Sequence, residues 1–381
     1  MRRRFLAVWL LAAAVAGCGD LKAQISGADF RGDDGNTNPN AYPYYLAIGG
    51  GLSETISILK VREGPTFEIF QNVAPTDMAI NDAVATATAF YTVCSLSNSV
   101  VVYDLNLNVI REAEVGAGAN PMNLALAAGQ TGWVSDFLAN DVRLVNLGPG
   151  PAGQAVQATV ALPDSAALPH DAGVTTSWAR PDGVALVGGT LFVALSNLSA
   201  QWTPAGPGQL ALVDTATATL AGVVTLQGRD PIGVMYDDAR KLVWVCSAGD
   251  YHNSVGFVGD GLLEGVDPTT QAVVRRIAVQ GAPFVPLIAP SGLAYLENGL
   301  DGEVLVVDLD AGRQLPSIDL RLHVPGSGLS YISGLALDPA GRLYAVDFNS
   351  DYLYVIDPAQ DNKVIYQTIV NDGPNTLTFL P

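Results

Sequence analysis

The chain has three histidines, His170, His252 and His323, and the first two stand in polar stretches with aromatic, acidic and arginine residues nearby. Asp171, Trp178, Arg180 and Asp182 follow the first; Trp202, Arg229, Asp230, Asp250 and Tyr251 lead up to the second. Three imidazoles are enough for a zinc site, but no pair here has the short spacing of a local chelate such as His-x-x-x-His. A metal site would need the fold to gather them. Aromatic faces beside carboxylates and guanidinium groups equally suit a sugar, a peptide or another polar ligand. The sequence contains no Gly-x-Ser-x-Gly elbow, no His-Glu-x-x-His, no P-loop and no Cys-x-x-Cys-His haem attachment, so no catalytic residue is assigned.

What positions these residues is a repeat. Apolar runs recur as PTDMAI from Pro75, PMNLAL from Pro121, PDGVAL from Pro181, PIGVMY from Pro231, PFVPLI from Pro283, ISGLAL from Ile332 and PNTLTF from Pro374. The starts recur about every 50 residues, the period of a four-stranded propeller blade. A third run in each repeat ends in an acid or amide: Asp104, Asn146, Asp214, Asp267, Asp308 and Asp357. Such a residue caps the following turn by accepting hydrogen bonds from backbone amides. Period-2 patterning with Gly-rich turns makes the runs antiparallel strands. YYLAI, TISILKV and FEIFQNV precede Pro75 without an innermost strand, and TLTF follows Pro374 without partners. The expectation is an all-β, seven-bladed β-propeller of four-stranded antiparallel blades over 41–381, closed by the C-terminal strand completing blade 1, with no exposed sheet edge.

The repeat is least regular where the polar residues lie. Blades 4 and 5 lengthen the connection between their second and third strands through SNLSAQWTPAGPGQ and SAGDYHNSVGFVGDGLLE, and the largest insertion, 148–180, joins blades 3 and 4. His323 lies between blades 6 and 7. All of these connections belong to one face, where loops on a rigid scaffold carry function. They are expected to build an asymmetric wall beside the central funnel, lined by His170, Arg180, Tyr251 and His252.

The passage VDPTTQAVVRRIAVQGAP followed by YLENGLDGEVLVVDLDAG resembles the YVTN family of bacterial β-propellers, and ISGLALDPAGRLYAVDFNSDYLYVIDP is similar to NHL and SMP-30 type propellers. The resemblance implies the fold and leaves the activity open, because such propellers include binding modules, cell-surface proteins, lactonases and cofactor enzymes. It also implies an alternative to binding. SMP-30-like lactonases hold a metal, calcium or zinc here, with carboxylates and an asparagine, and the corresponding residues would be Asp77, Asn123, Asp182 and Asp230. The acidic entry near the N-terminus of that family is not recognisable.

The N-terminus supplies an address. Residues 1–17 combine three arginines with an apolar run from Phe5 to Ala16. At about 1.5 Å per residue that run is far too short for a roughly 30 Å hydrocarbon core, so it reads as a signal peptide. Val15-Ala16-Gly17-Cys18 resembles the bacterial lipobox, which implies acylation at Cys18, with Gly19 rather than Asp beside it favouring the outer membrane. Residues 18–40 read as the lipidated cysteine and a polar tether. Arg31-Gly32-Asp33 spells an adhesion tripeptide too short to carry a function. Lys and Arg total 19 against 37 Asp and Glu, a net charge of −18. That excludes a nucleic-acid partner and leaves membrane attachment to the acyl chains alone. Cys94 and Cys246 sit in apolar runs, as buried thiols do. Together these features predict a lipid-anchored envelope protein that binds a protein or glycan partner and needs no cofactor.

Overall fold

The computed structural model describes residues 29–31, 42–64, 66–323 and 330–381. The signal peptide, Cys18 and most of the 18–40 segment lie outside the described residues. The fold is all-β: seven four-stranded antiparallel sheets, joined by two short two-stranded ladders. The helical content of the described residues is confined to three-residue 3-10 turns such as Arg321–His323. The chain is a seven-bladed β-propeller, with innermost strands at Pro374–Leu380, Ile80–Ala85, Pro121–Ala127, Pro181–Val187, Pro231–Asp237, Pro283–Ile288 and Ile332–Leu337. Six of these begin at the first residue of the runs read from the sequence. In blade 2 the strand starts only at Ile80, and Pro75 instead ends the last strand of blade 1, Thr66–Pro75.

Two compact units divide the chain, Ala113–Ile318 and the remainder. The first holds blades 3 to 6. Trp133 and Val142 of blade 3 pack with Leu191, Val193 and Leu195 of blade 4, and Phe192, Leu210 and Leu212 of blade 4 pack with Val243, Val245 and Val266 of blade 5. The other unit holds blades 7, 1 and 2. In it Pro374–Leu380 pairs antiparallel with Tyr44–Gly50, in the register Tyr45 to Leu380 through Ile48 to Leu377, and completes blade 1.

The middle strands do not alternate. Phe90–Cys94, Ser99–Tyr103 and Tyr44–Gly50 are buried at every position, and around Tyr44–Gly50 residues of blade 2 pack on one face and residues of blade 7 on the other. Alternation survives only in outermost strands such as Val109–Glu114, where one face meets solvent. The turn chemistry is as the residue types require: Asp104, Asn146, Asp214, Asp267, Asp308 and Asp357 each accept a hydrogen bond from the amide two residues on, at 2.7–3.0 Å. Gly183 and Gly233 answer a different constraint. A Cβ at Gly183 would strike the Ile232 carbonyl and sit 2.8 Å from the Val234 amide nitrogen, and one at Gly233 would strike the Phe284 carbonyl. Neighbouring innermost strands approach so closely there that only glycine fits.

Cys94 and Cys246 are buried thiols, and burial pushes the Cys94 thiol up to about 12. Within the 18–40 segment, Phe30 and Arg31 are part of the fold. Phe30 is 4% exposed and packs edge-on against Tyr45 at 5.7 Å. The Arg31 guanidinium lies 4.9 Å from the centre of the Tyr45 ring and donates to the carbonyls of Leu105 (2.9 Å) and Pro381 (3.4 Å).

Candidate functional site

Asn197 organises the long connections of blades 3 to 5. It is fully buried, with φ of 49°, a left-handed conformation that asparagine tolerates. Its amide donates to the carbonyls of Pro169 (2.7 Å) and Pro207 (3.0 Å), and its Oδ1 accepts from Ser177 Oγ at 2.7 Å. Ser177 also meets His170 Nε2 at 2.9 Å. Because the one serine proton is directed at Asn197, His170 must carry its proton on Nε2 and donate it to the serine oxygen. That nitrogen is a structural donor and cannot serve as a general base. A two-residue ladder, Ser177–Trp178 with Leu198–Ser199, fastens the same loops together.

Arg229 forms the second junction. It is ion-paired on one side with Asp171 and on the other, through Nε, with Asp250 Oδ1 at 2.5 Å. Arg229 bonding holds the Asp171 carboxyl below the usual carboxylate range, and the guanidinium is raised in turn by Asp171 and Asp250. Side chains from the 148–180 insertion, the blade 4 to 5 connection and the blade 5 loop thus share one charge cluster.

A third junction surrounds Arg180. Its guanidinium carbon lies 4.5 Å from the ring centre of Trp202, 5.3 Å from Trp178 and 5.5 Å from Phe137, and Nη1 donates to the Phe137 carbonyl at 3.2 Å. Trp202 and Phe137 stack with an 8° interplanar angle. Three rings around a cation form an aromatic cage, and here the cation is the protein's own. Trp202, expected as a stacking surface for a ligand, is engaged from within.

The remaining candidates separate. Asp182 is buried and accepts from Asn123 Nδ2 at 3.1 Å, while its backbone carbonyl accepts from Ser135 Oγ. Asp230 is buried in a left-handed conformation, its carbonyl bonded to the Ala248 amide at 3.0 Å. Tyr251 packs edge-on against Phe257 at 5.1 Å, and His252 is exposed in the adjoining hairpin, where it pairs with Gly256. His323 belongs to the other unit and meets the Tyr354 ring at 6.5 Å. Asp77 also lies there, accepting from Ser99 Oγ at 2.5 Å. Among the described residues, no group of three His, Cys, Asp or Glu side chains is placed to hold a metal ion.

Sequence reasoning passed over Asp136. It ends the strand Thr131–Asp136, is wholly buried, and sits opposite Asp141 across the hairpin that also presents Phe137 to Arg180. Arg143 grips Asp141 with two contacts of 3.1 Å, and its Nε lies 3.0 Å from Asp136 Oδ2. Burial first, and the Asp141 carboxyl next, push the Asp136 carboxyl up to about 9 against the pull of Arg143. In DFLAND only the carboxylates at its two ends signal such a pair.

No family model matches the sequence, and no curated protein sequence matches it. Solved structures do. A Bacteroides fragilis protein described as a candidate 6-phosphogluconolactonase has a TM-score of 0.62 at 12% identity, over 89% of this chain and 99% of that one. Streptogramin B lyase has a TM-score of 0.57 at 11% identity, over 78% and 86% of the two chains. The Dos1 propeller has a TM-score of 0.57 at 14% identity, over 87% and 86%. At these identities the likeness defines the class by fold alone: a β-propeller whose activity its relatives do not assign.

Proposed function

We propose that the protein is a lipid-anchored recognition module of the bacterial envelope, held in the outer membrane by acyl chains on Cys18 and binding a protein or glycan partner through the connections of blades 3 to 5. The observation that carries this reading is the mutual ordering of three connections that blade geometry does not require. Asn197, Arg229 and Arg180 each bind side chains or carbonyls from at least two of them. Ordering long loops costs conformational entropy, and three separate junctions hold this cost down before any partner arrives. The test is retention of a partner from envelope extract by the full chain. Tyr251→Ala should weaken it by about 1–3 kcal/mol, the scale of an interface hot spot, with unfolding nearly unchanged. A partner held equally by the variant, and lost on changes at the opposite ends of these blades, would refute the assignment. Cys18→Ser should move the protein out of the detergent phase.

The lactonase reading has one observation in its favour, the Asn123–Asp182 hydrogen bond between neighbouring innermost strands. The donors do not fit a metal, since Asp182 and Asn123 are bonded to each other and, among the described residues, no third ligand is gathered with them. Stoichiometric calcium or zinc in the purified full chain would reverse this judgement.

A further inference from the structure

Resting on the recognition reading above, we infer that the partner presents a cationic protein segment with bulky apolar side chains, and that its landing site is the blade 5 hairpin together with the neighbouring turn of blade 6. The hairpin Tyr251–His252 with Gly256–Phe257 stands outside the four-stranded blades. It holds Val255, which is 72% exposed, and Val258, which is 48% exposed; the blade 6 turn holds Leu300 at 47%. The two elements are tied together: the Gly281 amide donates to the Gly259 carbonyl at 3.2 Å, and the Gly299 amide to the Ala282 carbonyl at 2.9 Å. A Cβ at Gly259 would lie 3.9 Å from Leu300 Cδ2, so the apolar side chains of the turn begin where the hairpin ends. Beneath them the Tyr251, Phe257 and Phe284 rings stack edge to face at 5.1 and 5.6 Å, which makes the support rigid.

Charge chooses the occupant. The connections at this end of blades 4 to 6 (148–182, 197–208, 229–230, 248–261 and 298–303) contain six exposed or half-buried acidic residues, Asp164, Asp171, Asp250, Asp260, Asp301 and Glu303, besides the buried Asp182 and Asp230, and two arginines, with no lysine. Both arginines are engaged within the protein, Arg180 inside its aromatic cage and Arg229 between Asp171 and Asp250. The surface therefore offers a partner negative charge around an exposed apolar centre and no cation with which to meet an acidic one. Like charge is repelled and opposite charge steered, while the apolar side chains supply the contact area.

The experiment is selection of displayed random peptides on the full chain in detergent. The enriched peptides should carry Lys or Arg beside Leu, Ile, Phe or Trp. The best of them should bind about tenfold more weakly to the Val255→Ser, Leu300→Ser double variant, the loss expected of a small hot spot, and should weaken further as salt is raised. Both positions are exposed, so folding is not at stake. Enrichment of acidic or uncharged peptides that still need Tyr251 would overturn the cationic partner and leave the recognition reading standing. Peptides indifferent to Tyr251, Val255 and Leu300 together would overturn both.

Discussion

Asp136 is a buried carboxyl pushed above the usual carboxylate range by burial first and by Asp141 next, against the pull of Arg143. An unfolded aspartate titrates near about 3.9, whereas burial and Asp141 raise the native group to about 9. Between those values the folded state binds a proton that the unfolded chain has released, so this residue makes stability fall as pH rises, and it contributes nothing below that window. Asp136→Asn keeps the size and removes the titratable group. Urea unfolding across the range should then show a flatter pH dependence, with the variant gaining on the parent as pH rises. An unchanged slope would mean that Arg143 keeps Asp136 ionised in the native state. The sign matters because the ordinary expectation for a carboxylate beside an arginine is the reverse.

At the scale of elements, the blades and their connections are stabilised differently. The residues just before three innermost strands, Asn120, Arg180 and Asp230, all take positive φ, between 50° and 57°, ahead of a proline. Asn and Asp accept that conformation readily; Arg180 does not, and its cage of Trp178, Trp202 and Phe137 offsets the strain. The insertion loops depend instead on Asn197. Asn197→Ala would leave the Pro169 and Pro207 carbonyls and the Ser177 hydroxyl short of a partner, costing about 2–3 kcal/mol. Hydrogen exchange should rise over 164–178 while the blade strands keep their protection. Uniform loss of protection across the blades would show that the loops and blades form one cooperative element.

For the whole molecule, closure is the vulnerable feature. Deleting 374–381 removes the strand paired with Tyr44–Gly50 and uncovers a fully buried, apolar sheet edge. The expected result is aggregation or loss of cooperative thermal unfolding, and a truncated chain with the parent's Tm would refute closure by this strand. Phe30 and Arg31 reinforce the same region, since Phe30 fills the core of blades 1 and 2 and Arg31 reaches both Leu105 and Pro381. Phe30→Ala should lower stability by about 3–5 kcal/mol, the usual cost of emptying a buried aromatic site, measured by denaturant unfolding.

The strands, six of the seven blade starts, the turn-capping acids and the pairing of the two chain ends were legible in the sequence, because each rests on short-range physics: apolar runs, proline, and an Asp or Asn two residues before the amide it caps. The wall was legible only as a set of long connections. Its members meet across blades, Arg180 with Phe137 43 residues away and Arg229 with Asp171 58 residues away. Nothing in local spacing says which rings will enclose which arginine, or that His170 will spend its Nε2 proton on Ser177. Phe30 looked like part of a tether because its neighbours in sequence are polar, and its burial comes from residues such as Tyr45, Leu107 and Leu380. Beyond the carboxylates at the ends of DFLAND, Asp136 carries no local signal, and its carboxyl is pushed up only because strand register set Asp141 opposite it and the packing of blade 3 excluded water.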